Sequence, residues 1–209
     1  MANGLRQQVA QQAPGELPGC ELGLAHASTA DVARGLIDRD ILANAERAIE
    51  RDFAREPALA ADLRESVAKV RLALGLPKDA ARIFAQVADY RSRALGVTAP
   101  ETLRARQQQA GALLEAAEPK DALALVETAL RDAASLPASE PLRLKLRLNQ
   151  AEAIAALGDR PRARKLMEAL RGDAIELRGE RDATTMEVTN NLAILLGRMG
   201  EPKAGRALL

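Results

Sequence analysis

The stretch Leu74-Gly75-Leu76-Pro77-Lys78-Asp79-Ala80 is the first of four copies, with substitutions, along the chain. The later copies are Ala116-Ala117-Glu118-Pro119-Lys120-Asp121-Ala122, Leu157-Gly158-Asp159-Arg160-Pro161-Arg162-Ala163 and Met199-Gly200-Glu201-Pro202-Lys203-Ala204-Gly205. From Gly75 to Ala117, Gly158 and Gly200 the displacements are 42, 41 and 42 residues. Each copy ends one stretch of helical apolar periodicity and opens another. A Gly just past a helix end and a Pro just inside the next helix are the ordinary signs of a helix–turn–helix bend. A bend repeating at this period predicts an all-α solenoid, a right-handed superhelix of antiparallel helix pairs.

The segments on either side of the turns fit that register. After Asp38, read as an N-cap, Ile41, Leu42, Ala45, Ala48, Ile49 and Phe53 recur at helical spacing to about Arg55. Leu59, Leu63, Val67, Val70 and Leu74 form the stripe of the next helix, and Ala80, Ile83, Phe84 and Val87 that of its partner. Leu103, Ala110, Leu113 and Leu114 pair in the same way with Ala122, Leu123, Leu125, Val126 and Leu130. Ala163, Leu166, Met167, Leu170 and Leu177 mark a helix ending near Gly179. Asp182 or Thr184 caps the one after it, which carries Val188, Leu192, Ala193, Leu195 and Leu196. These boundaries divide the chain into a flexible lead-in (1–22), a pre-repeat helical cap (23–56) and an array over 57–209. The array comprises 57–97, 98–139, 140–179 and a shortened 180–209. Ser28, Thr29 and Asp31 are candidate caps for a short helix in 23–36. The final Arg206-Ala207-Leu208-Leu209 is apolar where solenoids normally finish in a polar cap, so the stack reads as part of a longer one.

One stretch resists the register. Leu142-Arg143-Leu144-Lys145-Leu146-Arg147-Leu148 alternates as a half-buried strand does. Leucine, arginine and lysine nonetheless favour helix over strand. Leu144, Leu148, Ala151 and Ala155 continue a helical stripe, and the repeat places a helix here.

Composition removes several function classes. Thirty basic and 29 acidic side chains, well mixed, leave a formal charge of +1, with no electrostatic case for nucleic acid or an anionic membrane. Phe53, Phe84 and Tyr90 are the only aromatics, too few for base stacking. No run approaches the ~18 apolar residues of a membrane span, so no membrane insertion by this segment is expected. Cys20 is the sole cysteine and His26 the sole histidine, which leaves no intrachain disulfide, no His-based metal-ligand set and no His-activated nucleophile other than one served by His26 itself. The glycines end helices and form no phosphate loop. No cofactor and no catalytic residue set is predicted. Arg160, Arg162, Arg164 and Lys165 cluster at one turn, with Glu168 and other acids to offset them.

The repeat resembles the tetratricopeptide repeat in its long form of about 42 residues, as in kinesin light chains and many bacterial proteins. The resemblance covers about residues 57–209. Its small first-helix residue corresponds to Ala68, Ala110, Ala151 and Ala193, and its early second-helix Ala to Ala80, Ala122 and Ala163, with Gly205 in the last copy. Asn190-Asn191-Leu192-Ala193-Ile194-Leu195-Leu196 followed by Gly200 matches the long form well. Arg64, Arg106 and Arg147 stand where the family often has Trp. A weaker resemblance joins Ala33-Arg34-Gly35, Asp38-Arg39-Asp40-Ile41-Leu42 and Ala48-Ile49-Glu50-Arg51 to segments preceding such arrays in bacterial serine/threonine kinases. It implies a regulatory or sensor segment of a larger protein whose catalytic domain is absent here. The compartment stays open: cytoplasmic by default, extracytoplasmic if the parent is membrane-anchored.

The tetratricopeptide resemblance implies that the first helices line a concave groove holding a peptide or protein partner. Counting from the small residues, the inner positions are Asp62, Glu65 and Lys69, then Arg104, Gln107 and Gln108. In the third and last repeats they are Lys145, Asn149 and Glu152, then Glu187, Asn190, Asn191 and Arg198. Asn and Gln can clamp a peptide backbone from both sides, and Arg and Lys can hold a carboxylate. The competing reading is that these are solvated faces or polar contacts between neighbouring helices. Asn is a poor mid-helix residue, so Asn149, Asn190 and Asn191 carry a role, in binding or in structure. The unfinished end at Leu208-Leu209 also suits self-association.

Overall fold

The computed structural model describes residues 35–138 and 140–209; the lead-in, Cys20, His26 and the candidate caps Ser28, Thr29 and Asp31 lie outside them. The chain divides into two compact units, at Asp52/Phe53. In the first, a π-helical stretch Ile37–Leu42 runs on into helix α1 (Ala43–Asp52). Backbone is already helical at Gly35, and the Ala43 N–H donates to the Asp38 carbonyl, so Asp38 lies inside the helix and does not cap it. The wider π turn changes the phase of its own residues: within it Leu42 is buried and Ile41 exposed, and Ile49 is buried further along α1.

The second unit is built of α2 (Pro57–Ala73), α3 (Pro77–Leu95), α4 (Pro100–Glu115), α5 (Pro119–Asp132), α6 (Pro141–Ala156), α7 (Arg160–Arg178), α8 (Ala183–Arg198) and α9 (Pro202–Arg206). No strand occurs among the described residues. Each helix packs on the next, and the first helices of successive hairpins also meet, α4 on α6 and α6 on α8. This is an all-α stack of helical hairpins.

The four turns share one hydrogen-bond pattern. Gly75 donates to the Leu72 carbonyl and Leu76 to that of Arg71, both at 2.9 Å. The same 5→2 and 6→1 pair closes the helix at Ala117/Glu118, Gly158/Asp159 and Gly200/Glu201. This arrangement requires a left-handed residue at its centre. Gly75, Gly158 and Gly200 supply φ of 74°, 100° and 87°, and Ala117, with φ 59°, is the one described non-glycine residue at positive φ. Pro77, Pro119, Pro161 and Pro202 then stand in the first turn of the following helix, where a missing N–H costs nothing.

Small residues set the crossings. Ala68, Ala110 and Ala151 are fully buried, as are Ala80, Ala122 and Ala163. At Gly205 a Cβ would lie 2.7 Å from the Ala193 carbonyl oxygen, so the last hairpin closes more tightly than a methyl allows. In α2 the buried side is Ala60, Ala61, Val67 and Ala68, and the expected stripe residues Leu59 and Val70 stand exposed because the crossing selects small side chains. Leu177 near the end of α7 is likewise exposed. Asp182 caps α8, accepting from the Thr184 and Thr185 N–H groups. The Arg178 hydrogen bond, reinforced by these backbone donors and opposed by desolvation, holds the Asp182 carboxyl down at about 2.

The alternating leucines form the first turns of α6, which is buried on two sides. Leu142 and Leu146 pack with Leu103, Ala129 and Ala133 of the preceding hairpin. Leu144 and Leu148 join Ala151, Met167, Leu170, Val188 and Leu192 on the other side. Alternation here is the signature of a helix in the middle of a stack.

Candidate functional site

Three first helices, α4, α6 and α8, line a cavity of about 560 Å³. Gln107, Asn149, Glu152, Asn191 and Arg198 come together in it, joined by Glu187. Asn190, one residue from Asn191 and therefore about 100° around the helix, lines a different cavity of about 640 Å³ beside Arg171, Met186 and Leu208. Lys69, Arg104, Gln108 and Lys145 line neither.

Much of the inner row binds neighbouring helices. Glu65 is only 8% exposed. Its carboxylate receives Lys69 Nζ at 2.5 Å and Arg91 Nη1 at 2.7 Å. Gln108 Nε2 reaches it from α4 at 3.2 Å. Burial pushes the Glu65 carboxyl up, and these donors reverse that to leave it below the ordinary range. Arg91, buried on α3, also holds Asp62 at 2.7 Å. Burial alone would pull its guanidinium down, and the two carboxylates outweigh it.

One hairpin later, Asn149 Nδ2 donates to the Gln107 carbonyl at 3.1 Å, and Asn149 is 5% exposed. Asn149 thus acts as a latch between α4 and α6. Lys145 meets Glu187 across α6 and α8 at 3.1 Å. Asn191 Nδ2 bonds the Glu187 carbonyl of its own helix, and Arg104 is exposed. Two of the three arginines at the aromatic position bridge the two helices of a hairpin: Arg106 to Asp132 and Arg147 to Asp173.

Glu152 differs from these residues. It is half-buried, lines the cavity and forms no hydrogen bond or ion pair with a described residue. Burial lifts its carboxyl to about 7, repulsion from Glu187 adds to the rise, and Arg198 opposes it.

The cavity exists because of a residue the inner-row count passed over. Gly111 occupies the register of Glu152, and a Cβ there would meet only Asn149 Nδ2, at 3.9 Å. With Leu114, Ala155, Ala156 and Ile194 it makes an apolar floor. A glycine inside a good helical pattern costs about 1 kcal/mol, and that was the available signal. Arg160 of the basic turn also reaches the cavity, while Arg164 is held by Glu168 at 2.7 Å and Glu201 at 2.8 Å.

A second feature follows the repeat register. Ala61, Leu103 and Leu144 occupy equivalent places and are at most 2% exposed, whereas their equivalent Met186 is 59% exposed. Phe84, Val126 and Met167 are similarly at most 2% exposed, against 79% for Leu209. Among the described residues no group of three or more His, Cys, Asp or Glu could hold a metal, and no helix is long and apolar enough to cross a membrane.

No family model matches the sequence, and no curated protein matches it. Solved structures do share its fold. The nearly identical TPR-like repeats of a Podosopora anserina chain named as a kinesin light chain superpose with a TM-score of 0.59 at 19% identity, over 86% of this chain and 89% of that one. A variant of those repeats with one residue replaced gives 0.62 at 19%, over 86% and 88%. BtubC (BKLC) from P. vanneervenii gives 0.62 at 15%, over 100% and 84%. The chain therefore has the helical-repeat fold of kinesin-light-chain-like tetratricopeptide structures.

Proposed function

We propose that the second unit is a non-catalytic protein-interaction scaffold that holds an extended segment of a partner chain in the cavity of α4, α6 and α8. The observation that carries this reading is the convergence there of Gln107, Asn149, Glu152, Asn191 and Arg198 from three successive first helices. Their amide, carboxylate and guanidinium groups stand over the apolar floor made by Gly111, Leu114, Ala155 and Ala156. Pockets that bind peptides and small molecules combine an apolar lining with a few convergent polar groups in this way. Lys69, Arg104, Gln108, Lys145 and Asn190 serve at most as flanking contacts.

The experiment is selection of nine-residue peptides by display on the chain, followed by binding to Gly111→Leu. A leucine at 111 meets no backbone at its Cβ and extends into the cavity. It should also raise helix stability by roughly 0.5–1 kcal/mol. Selected peptides that lose at least tenfold in affinity for a variant as stable as the parent support the groove. Peptides that bind Gly111→Leu unchanged refute it.

A second reading, self-association of two copies through α8, draws on Met186, apolar and exposed where earlier repeats bury that position. Sedimentation equilibrium tests it. A concentration-dependent dimer abolished by Met186→Lys supports this reading, and a monomer at all concentrations removes it. The link to a bacterial kinase rests on the sequence resemblance of Ala33–Arg51 alone.

A further inference from the structure

We infer that the α4–α6–α8 cavity selects a cationic side chain, the guanidinium or ammonium of an arginine or lysine in the bound segment, with Glu152 as the residue that reads it. The inference rests on the groove reading and names the chemistry of its occupant. Three observations lead to it.

Glu152 has no hydrogen-bond or ion-pair partner among the described residues, whereas the other inner-row carboxylates at Asp62, Glu65 and Glu187 are each taken by a cation. Among the described residues, Glu152 is therefore the inner-row carboxylate that faces the cavity without a cation bound to it. The cavity floor beneath it, Leu114, Ala155, Ala156 and Ile194, is apolar. Lys and Arg lay their methylene stems along apolar surface and keep the charged head at a polar rim. A side chain with an apolar stem and a cationic end matches a floor of that kind ending in a carboxylate.

The charged groups facing the cavity are Glu115 from α4, Glu152 from α6, Arg160 from α7, and Glu187 and Arg198 from α8, with Lys145 paired to Glu187. Both arginines and Glu115 are exposed, where water screens them, and Glu152 is half-buried. A cation drawn into the cavity thus meets its strongest uncompensated partner at Glu152, with Glu187 close enough to repel that carboxylate when the cavity is empty. Burial and this repulsion keep Glu152 at about 7 in the free chain. A bound cation favours the ionised form, so affinity rises with pH towards about 7, levels off above it, and falls on acidification by up to tenfold per pH unit.

The test is NMR titration of the full ¹⁵N-labelled chain with four capped residues: N-acetyl methylamides of arginine, lysine, norleucine and glutamate. The readouts are the Gly111 backbone amide and the Asn191 side-chain amide. Arginine and lysine probes are expected to shift both signals, with Kd on the order of millimolar for ligands of this size, and norleucine to bind at least about tenfold more weakly. Glu152→Gln should lower the affinity for the arginine and lysine probes about tenfold, leave norleucine unchanged and remove the pH dependence. Comparison of arginine with lysine decides which cation the cavity prefers. A glutamate probe that binds as well as arginine, or a Glu152→Gln chain that binds arginine unchanged, overturns the inference. If display-selected peptides still bind in a Gly111→Leu-sensitive way without arginine or lysine at a common position, the cation inference falls and the groove stands. If neither probes nor peptides perturb Gly111 and Asn191, both fall.

Discussion

Replacing Glu152 by Gln should stabilise the chain, and more so in alkaline solution. The folded-state carboxyl sits at about 7 against an ordinary 4.5. For a group raised on folding, the native state binds the proton more tightly, so its stabilising effect is present at low pH. That effect is lost as pH rises through the folded value. Ionised Glu152 is thus a destabilising element whose cost grows between about 4.5 and 7 and is complete above that. At about 1.4 kcal/mol per unit, the ceiling is about 3 kcal/mol. Partial solvent access at the cavity mouth reduces it to about 1–2 kcal/mol. Glutamine keeps the shape without the charge. The advantage of Glu152→Gln over the parent should be larger at pH 8.5 than at pH 5.5, by roughly 0.5–1 kcal/mol, because part of the cost is already present at pH 5.5. Urea denaturation of both chains at both pH values, followed by far-ultraviolet circular dichroism, measures it. Titrating groups that do not interact with Glu152 cancel in the comparison between the two proteins. Glu187→Gln should recover a smaller part of the same effect, since it removes only the repulsion. An advantage that does not change with pH, or that is larger in acid, would refute the reasoning about burial and Glu187.

Ala117→Gly should raise stability by roughly 0.5–1 kcal/mol, because an L-residue in the left-handed region costs about 1–2 kcal/mol and glycine's larger unfolded-state freedom returns part of it; thermal or urea melts would register it. Arg91→Met removes the α3 partner of the buried Glu65, which keeps Lys69 and Gln108, and should cost about 1–3 kcal/mol. The double replacement Arg91→Met/Glu65→Met should cost clearly less than Arg91→Met alone, which a double-mutant cycle reads directly. Gly205→Ala forces a methyl to within 2.7 Å of the Ala193 carbonyl oxygen. It should destabilise the last hairpin by about 1–3 kcal/mol, seen as faster amide exchange in α8 and α9 with α2 to α5 unchanged.

The features legible in the amino-acid string are those decided within a few residues. Gly75, Gly158, Gly200 and the prolines after them locate the turns because φ limits and missing N–H groups act locally. Ala68, Ala110 and Ala151 mark the crossings because small side chains recur there at the repeat period, and all three are fully buried. The same local logic misplaced Asp38, Ile41, Leu59 and Val70. Whether an apolar side chain is covered depends on the element beside it, and a π turn changes the phase of its own residues.

Helix content, the 42-residue register and the pairing of each helix with the next were determined by the sequence alone, since backbone geometry and small-residue crossings repeat with the turn at Gly75 to Ala80. Only the tertiary structure decided what the inner row does. Asn149 reaches a carbonyl 42 residues away, Lys145 meets a carboxylate 42 residues on, and Glu152 is left without either. Those outcomes turn on ångström distances between helices that share no local sequence. The cavity arises from the missing side chain of Gly111, a gap that becomes visible only once Asn149 and Glu152 stand beside it.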